Sequence, residues 1–370
     1  MNARIPAEVF PPGEFLRDEL EARDWSQQEL ADILGRPPRL ISEIISGKRA
    51  VTPETAKGLS EALGTSAEYW MSLESQYQLS KVARPSNDVS RKAYLYSKFP
   101  VREILRRGWV RASENLDVLE QRFCEFFELR DLNDEPSLSH AARKTHACDG
   151  ATPLQLAWLF RVKAMARQQK ISNYSEQKLK TAVEKLRGLL SAPEEVRHVP
   201  RILSEAGVCI VFVEPIAGTK LDGACFWLDG KKPVIGMTLR FDRIDNFWFV
   251  LRHEIEHVLR GDGKTEIIID SDVGFSSESL PDCEKAANAA GAEFCTPHAA
   301  LEDFCTRVAP FFSEQRVVLF AQRIGIHPGL VVGQLQRKLD RNDFLRKYQV
   351  KIRGSLLPSA DADGWGQFSE

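Results

Sequence analysis

The sequence predicts a mainly α-helical protein with one small α+β domain towards its C-terminal end. Helical segments bounded by capping and turn residues follow one another from residue 12 to about residue 84. Between residues 90 and 200, apolar residues recur three and four positions apart, as they do along one face of a helix. After Pro200, short β-branched runs separated by Gly, Pro and Asp replace that pattern and predict a small antiparallel sheet.

These changes of pattern divide the chain into four parts. Residues 1–84 are predicted to form a five-helix N-terminal domain, and residues 85–200 a helical connecting region without recognisable chemistry. Residues 201–353 are predicted to form the α+β domain. Residues 354–370 are predicted to be a disordered tail, because this segment has few apolar side chains to bury.

Composition and charge limit the classes of protein that this chain can be. Its 370 residues are 43% hydrophobic and 28% charged, as expected of a globular protein with two or three domains. No signal-peptide pattern and no apolar run of about 20 residues is present, so we expect a cytoplasmic protein without membrane contact. The seven cysteines form no CxxC pair, which predicts free thiols. A net charge of −2 permits a local basic patch but excludes a chain that coats nucleic acid throughout.

Local signals define the helices of the N-terminal domain. Ser26 and Glu29 have the spacing of a capping box, and Gly35 is placed to end the helix that they begin. A short helix in RPPRLISEIISGK begins with two prolines. The next helix is predicted to begin at Thr52, followed by a proline at its first position.

A short helix with an exposed first turn can enter a DNA major groove, and five residues are candidates for contacts there. Gln27 can contact a phosphate, while Arg39 and Glu43, four residues apart, can reach base edges. Lys48 and Arg49 can neutralise backbone charge. The alternative is a helical bundle in which the basic residues are only solvated, or one that serves in dimerisation or docking.

The segments SQQELADILG and RPPRLISEIISGKR resemble the Cro/cI-like (XRE) helix-turn-helix family, and more closely its HigA-type antitoxin branch. The resemblance extends from about Phe10 to Tyr77. It implies a double-stranded DNA operator as partner, and paired half-sites imply a homodimer. The chain departs from the family at Pro37 and Pro38, which stand where small polar residues could contact bases.

The segment LRHEIEHVLRG carries the pattern HExxH. Residues four apart share one face of a helix, so His253 and His257 can direct their imidazoles at one ion. Glu254 can then hold a zinc-bound water without being a ligand. Zinc requires a third protein ligand and an open position for catalysis, and Glu284, near the start of a helix rich in small residues, is our candidate. The alternatives are buried core histidines and, for Glu284, a carboxylate that favours the helix dipole.

HExxH followed by ExxAN and a proline-terminated helix resembles the ImmA/IrrE-type metallopeptidases, from about Ser204 to Pro297. The resemblance implies a zincin-like fold for the α+β domain and zinc as its cofactor. It assigns four residues to the site: His253, His257 and Glu284 as ligands, and Glu254 as general base. Ala290-Gly291 stands where this family usually has Phe-Ala, which predicts a local difference in packing.

Together these patterns predict a DNA-binding transcription regulator fused to a zinc-dependent endopeptidase. Its substrate is expected to be a repressor or antitoxin-like protein, either a partner or the chain itself, and cleavage would relieve repression. The substrate is expected to add as a strand along Gly223–Leu228 or Pro233–Leu239. The alternatives are a non-catalytic HigA-like antitoxin or autorepressor whose zinc domain senses or scaffolds, and a purely structural zinc domain. Glu254 favours catalysis, because a structural site does not need it.

Overall fold

The computed structural model describes residues 9–82, 87–136, 151–264, 267–271 and 280–366. The chain divides into two compact units, Met1–Arg91 and Lys92–Glu370. The predicted helical connecting region and the predicted α+β domain therefore fall largely within one unit. In the described part of the chain, no helix has both the length and the apolar character needed to cross a membrane.

Five helices lie in the first unit, as the sequence predicts. They are α1 (Pro12–Arg23), α2 (Gln27–Leu34), α3 (Pro38–Ile45), α4 (Pro53–Leu63) and α5 (Ala67–Lys81). The predicted capping box is confirmed, because the backbone N–H of Glu29 donates to Ser26 Oγ (3.2 Å) and that of Ser26 to Glu29 Oε2 (2.7 Å). Gly35 ends α2 with a φ of 61°, a left-handed conformation that favours glycine. Leucine, isoleucine and tryptophan side chains from all five helices form the core of this unit.

Twelve further α-helices and one sheet are found among the described residues from 87 onwards. The helices are α6 (Asp88–Lys98), α7 (Val101–Arg106), α8 (Leu116–Phe126), α9 (Pro153–Gln168), α10 (Glu176–Arg187), α11 (Val199–Ala206), α12 (Ile244–Arg260), α13 (Asp282–Cys295), α14 (His298–Val308), α15 (Glu314–Arg323), α16 (Pro328–Leu339) and α17 (Arg353–Leu356). The strands are β1 (Cys209–Val213), β2 (Leu221–Leu228), β3 (Lys232–Met237), β4 (Ile268–Ser271) and β5 (Ala362–Asp363).

The sheet is mixed, so the predicted antiparallel sheet is wrong. Its order is β4-β2-β3-β1-β5, in which β2 pairs antiparallel with β3 and β4, while β1 pairs parallel with β3 and β5. The reason is that the β2–β3 hairpin places β3 between β2 and β1. Strand β1 therefore meets a strand that is not its neighbour in sequence, and hydrophobic patterning alone does not reveal this pairing.

The two faces of the sheet are covered by different helices. Cys209 and Val211 of β1 pack with α9 in one hydrophobic cluster, whereas Ile210 and Phe212 pack with α12 in another. Successive side chains of a strand point to opposite faces, which explains why a run of five buried residues serves both clusters. Helix α12, which carries the HExxH pattern, therefore lies against one face of the sheet.

The tail predicted to be disordered is instead ordered as far as Gly366, and residues 367–370 lie outside the described part. Ala362 and Asp363 form β5 and pair with Phe212 and Val213 of β1. The Asp363 carboxylate is buried; it accepts a hydrogen bond from Trp109 Nε1 (2.8 Å) and forms an ion pair with Arg161. Backbone pairing and this buried carboxylate hold a segment that has few apolar side chains.

Candidate functional sites

Helix α12 places the HExxH side chains in the interior of the second unit. His253, Glu254 and His257 each have no exposed surface. Helix α13 lies close to α12, because a Cβ atom on Gly291 would be only 2.9 Å from the carbonyl oxygen of Phe249. Gly291 stands where the ImmA/IrrE-type metallopeptidases, which this segment resembles, usually have a larger residue. The close approach of α12 explains why a glycine fits here. The close approach also brings Glu284 of α13 to the two histidines.

Four side chains direct donor atoms at one point: His253, His257, Asp270 and Glu284, whose ligand atoms lie within 4.8 Å of one another. The two imidazole Nε2 atoms are 3.1 Å apart. Asp270 Oδ2 lies 3.3 Å from the Nε2 atom of His253 and 3.9 Å from that of His257. The Glu284 oxygens lie 3.4 Å from each of these nitrogens. A tetrahedral zinc ion with Zn–N bonds of about 2.0–2.1 Å separates its ligands by about 3.3 Å, which these distances approximate.

The orientation of His257 is fixed by a carboxylate behind it. Asp262 Oδ2 lies 3.0 Å from His257 Nδ1 and also accepts a hydrogen bond from Arg260 Nε (3.1 Å). A carboxylate at Nδ1 keeps the proton on that nitrogen and leaves Nε2 free as a ligand. His257 therefore has the arrangement that metal-ligating histidines have in proteins.

The electrostatics of the cluster also fit a divalent cation. No described Lys or Arg forms an ion pair with Glu254 or Asp270, and neither Glu254 carboxylate oxygen accepts a hydrogen bond from the described residues. Burial, followed by the nearby Asp270 carboxylate, raises the pKa of Glu254 well above its usual value. Burial alone would lower the pKa of His253, but the carboxylates of Asp270 and Glu284 outweigh it and raise this pKa to about 9. A cation among two carboxylates and two neutral imidazoles would remove this excess negative charge.

The structure brings together every residue that the sequence indicated for the metal site, and adds one. Asp270, which the sequence analysis missed, lies on β4 and is 4% exposed. Its only sequence signal is a carboxylate directly after an apolar run, EIIID, and that signal is weak. The expected substrate strands are wrong as docking edges, because β2 and β3 each have a neighbour on both sides. Strand β4 is the edge strand next to the metal cluster.

The candidate DNA-contact residues all lie on the surface of the first unit. Gln27, at the start of α2, is exposed, and the Arg39 side chain on α3 is 87% exposed. Lys48 and Arg49 follow α3 and are also exposed. Ser42, exposed three residues after Arg39 on α3, is a further polar candidate that the sequence analysis missed.

Glu43 has both carboxylate oxygens engaged by arginines. Arg39 Nε donates to Oε1 (2.7 Å), and Arg49 Nη1 donates to Oε2 (3.4 Å). The hydrogen bond from Arg39 is the main cause that lowers the pKa of Glu43. Glu43 thus holds two of the candidate basic residues side by side.

Residues 16–70 match the HTH_3 helix-turn-helix family model. An Escherichia coli (strain K12) protein described as the uncharacterized HTH-type transcriptional regulator YddM is 34% identical over 80 residues, which are 22% of this chain and 84% of that protein. The chain belongs to the HTH_3 helix-turn-helix family. Virulence-associated protein I of Dichelobacter nodosus is a second relative of the HTH_3 chain, 31% identical over 80 residues, or 21% of this chain and 74% of that protein.

Two solved structures are also similar to part of the HTH_3 chain. The Pseudomonas aeruginosa antitoxin HigA with the higBA promoter is 35% identical and covers 20% of this chain and 80% of its own, with a TM-score of 0.19. PA4674 of the same organism, in complex with its operator DNA, is 31% identical and covers 23% and 94%, with a TM-score of 0.22. The family match covers only residues 16–70. The resemblance of residues 204–297 to the ImmA/IrrE-type metallopeptidases stays a prediction.

Proposed function

We propose that this chain is a transcription regulator that binds operator DNA through α2 and α3, and that its second unit is a zinc-dependent endopeptidase. The observation that carries the peptidase proposal is the convergence of His253, His257 and Glu284 on one point with Glu254 in the adjacent position of α12. The proposed substrate is a repressor or antitoxin-like protein. Strand β4, as the edge strand beside the cluster, is the proposed place for an extended substrate segment.

The residues of the site have distinct roles in this proposal. His253, His257 and Glu284 would hold the zinc ion, which when bound polarises a peptide carbonyl and lowers the pKa of water. Glu254 would accept a proton from the attacking water at its carboxylate and return it to the leaving nitrogen. Asp262 would orient His257, and the burial of His253, Glu254 and His257 would exclude bulk water.

A test of the peptidase proposal compares three samples of the purified full chain with a candidate repressor as substrate. The samples are the zinc-loaded protein, the chelator-treated protein, and the treated protein with zinc restored. We expect new peptide termini, detected by mass spectrometry, in the first and third samples only. Identical cleavage in all three would show that a contaminating protease is responsible.

The DNA-binding proposal rests on the HTH_3 match and on the exposed polar face of α3. An operator with two half-sites would be bound by a homodimer. Replacing both Lys48 and Arg49 by alanine is expected to weaken binding to the chain's own promoter. Because each phosphate contact contributes about 0.9 to the slope of log K against log salt, the slope is expected to fall by about 2.

Fluorescence anisotropy at several salt concentrations would measure this slope. Lys57→Ala is the matched control, since Lys57 is exposed on α4 and lies outside the proposed contact surface. An unchanged slope in the Lys48, Arg49 double variant would mean that these side chains do not contact phosphates.

The position of Glu43 between two arginines predicts a substitution that strengthens DNA binding. Glutamine at this position keeps the shape but loses the charge that attracts Arg39 and Arg49. Glu43→Gln is therefore expected to strengthen binding to DNA of unrelated sequence, with Glu61→Gln, at an exposed position of α4, as control. The same anisotropy assay on a random duplex would measure the effect. Weaker binding in the variant would instead indicate that Glu43 accepts a hydrogen bond from a base.

A second candidate function is a HigA-like antitoxin or autorepressor whose metal domain senses or scaffolds without catalysis. One observation favours it: the described cluster offers four candidate ligands, and structural zinc sites are closed by four protein ligands. This candidate and the peptidase differ in whether Glu254 has a chemical role.

A further inference from the structure

We infer that Asp270 is a fourth metal ligand that occupies the open position of the site, where the attacking water would otherwise lie beside Glu254. This inference deepens the proposed function and rests on it. It assigns a closed state to the site, in which the position required for catalysis is filled by a side chain of the same protein. Catalysis would then require Asp270 to withdraw.

The first argument is the position of the Asp270 carboxylate. Its Oδ2 atom is within 3.3 Å of His253 Nε2, yet it accepts no hydrogen bond from the described residues. An oxygen that is this close to an imidazole nitrogen without hydrogen-bond geometry is typical of two ligands directed at a common centre. Asp270 is 4% exposed, so its carboxylate is largely shielded from bulk water.

The second argument is the pairing of β4 with β2. Asp270 is opposite Gly223 in an antiparallel pair, where opposing side chains point to the same face of the sheet. A Cβ atom on Gly223 would overlap Glu254 Oε1, so the Glu254 carboxylate fills the space that a side chain of Gly223 would occupy. Glu254 and Asp270 are therefore neighbours on this face.

The third argument is the irregularity in this pairing. The register shifts between Leu221 and Gly223, which inserts one additional residue of β2 opposite β4. Bulges of this kind change the direction of a neighbouring side chain and are common beside active sites. The pairs from Cys225–Ile268 to Gly223–Asp270 keep a regular register and the shift begins at the next pair, so the bulge lies directly beside Asp270 and the glycine that makes room for the base.

These three arguments place one carboxylate beside both the base and the two imidazoles. The water from which a general base takes a proton must lie between that base and the metal. Asp270 and this water therefore compete for the same position. Three protein ligands with an open position characterise catalytic zinc sites, and four characterise closed ones. Among the described strands β4 has one neighbour, so fewer backbone hydrogen bonds oppose its movement than oppose that of β2 or β3.

The test uses the full chain loaded with cobalt(II), whose visible spectrum reports the coordination of a zinc site, and azide as a probe of an open position. In the wild type, azide is expected to leave the spectrum unchanged. Asp270→Ala is expected to bind metal at least about tenfold more weakly, since even groups that only orient a ligand contribute that much. Its spectrum is expected to change when azide is added. Asp270→Asn, of the same shape, controls for folding, and the exposed Asp282→Ala is expected to behave as the wild type.

Each outcome decides between the inference and its rivals. An azide response in the wild type equal to that of Asp270→Ala would overturn the inference, as would an unchanged metal affinity in both Asp270 variants. If His253→Ala loses the metal while the Asp270 variants match the wild type, the inference fails and the proposed metal site stands. If the wild type binds neither cobalt nor zinc, the proposed function and the inference both fail.

Discussion

Glu254→Gln is expected to reduce cleavage of a repressor-like substrate by at least about 10²-fold, while zinc content, fold and DNA binding stay unchanged. An amide cannot accept the proton of the attacking water or return it to the leaving nitrogen. The fold should tolerate the change because the Glu254 carboxylate accepts no hydrogen bond and forms no ion pair with a Lys or Arg among the described residues. A neutral side chain of the same shape therefore suits this position, and the thermal stability of the metal-free protein is not expected to fall.

The measurement combines a cleavage assay, metal analysis and anisotropy with promoter DNA on the same preparations. Glu256→Gln is the matched control: Glu256 lies two residues further along α12, where it forms an ion pair with Arg252 (2.8 Å) outside the metal cluster. This control variant is expected to cleave like the wild type. Full relief of repression in cells by Glu254→Gln would contradict proteolysis and support the non-catalytic antitoxin or autorepressor.

The His253→Ala, His257→Ala double variant is expected to lose the zinc, of which the wild type should hold about one ion per chain. Metal that binds only the folded state stabilises it, by about 4 kcal/mol when its free concentration is a thousand times Kd. The melting temperature of the zinc-loaded wild type is therefore expected to fall on chelation. That of the double variant is expected to be low and insensitive to the chelator.

Elemental analysis and calorimetry with and without chelator would measure these effects. His298→Ala is the control, since the His298 side chain is 78% exposed and is not among the four side chains of the cluster. Full zinc occupancy in the double variant would exclude this cluster as the metal site.

Sequence reasoning was most successful where the structure depends on residues close together in the chain. The capping box of Ser26 and Glu29 spans three residues, and the histidine pair spans four. Glu284 could also be predicted from the sequence, because small residues along α13 indicated a close approach between two helices.

Prediction from the sequence failed where the structure depends on pairings between distant segments. Asp270 joins the metal cluster through its register opposite Gly223, and that register cannot be inferred from the composition of either strand. The mixed sheet has the same origin, since β3 enters between β1 and β2. The ordered tail depends on Arg161, 202 residues before Asp363.

The order of the last segment affects how truncated versions of this protein should be interpreted. A chain shortened at residue 353 would lose β5, and the backbone of β1 that pairs with Ala362 and Asp363 would become an unpaired edge. Such edges favour aggregation. The shortened chain would also lose the buried Asp363 carboxylate, which Trp109 and Arg161 contact. Inactivity of a shortened chain would then report damage to the sheet and would not show that the C-terminus has a regulatory role.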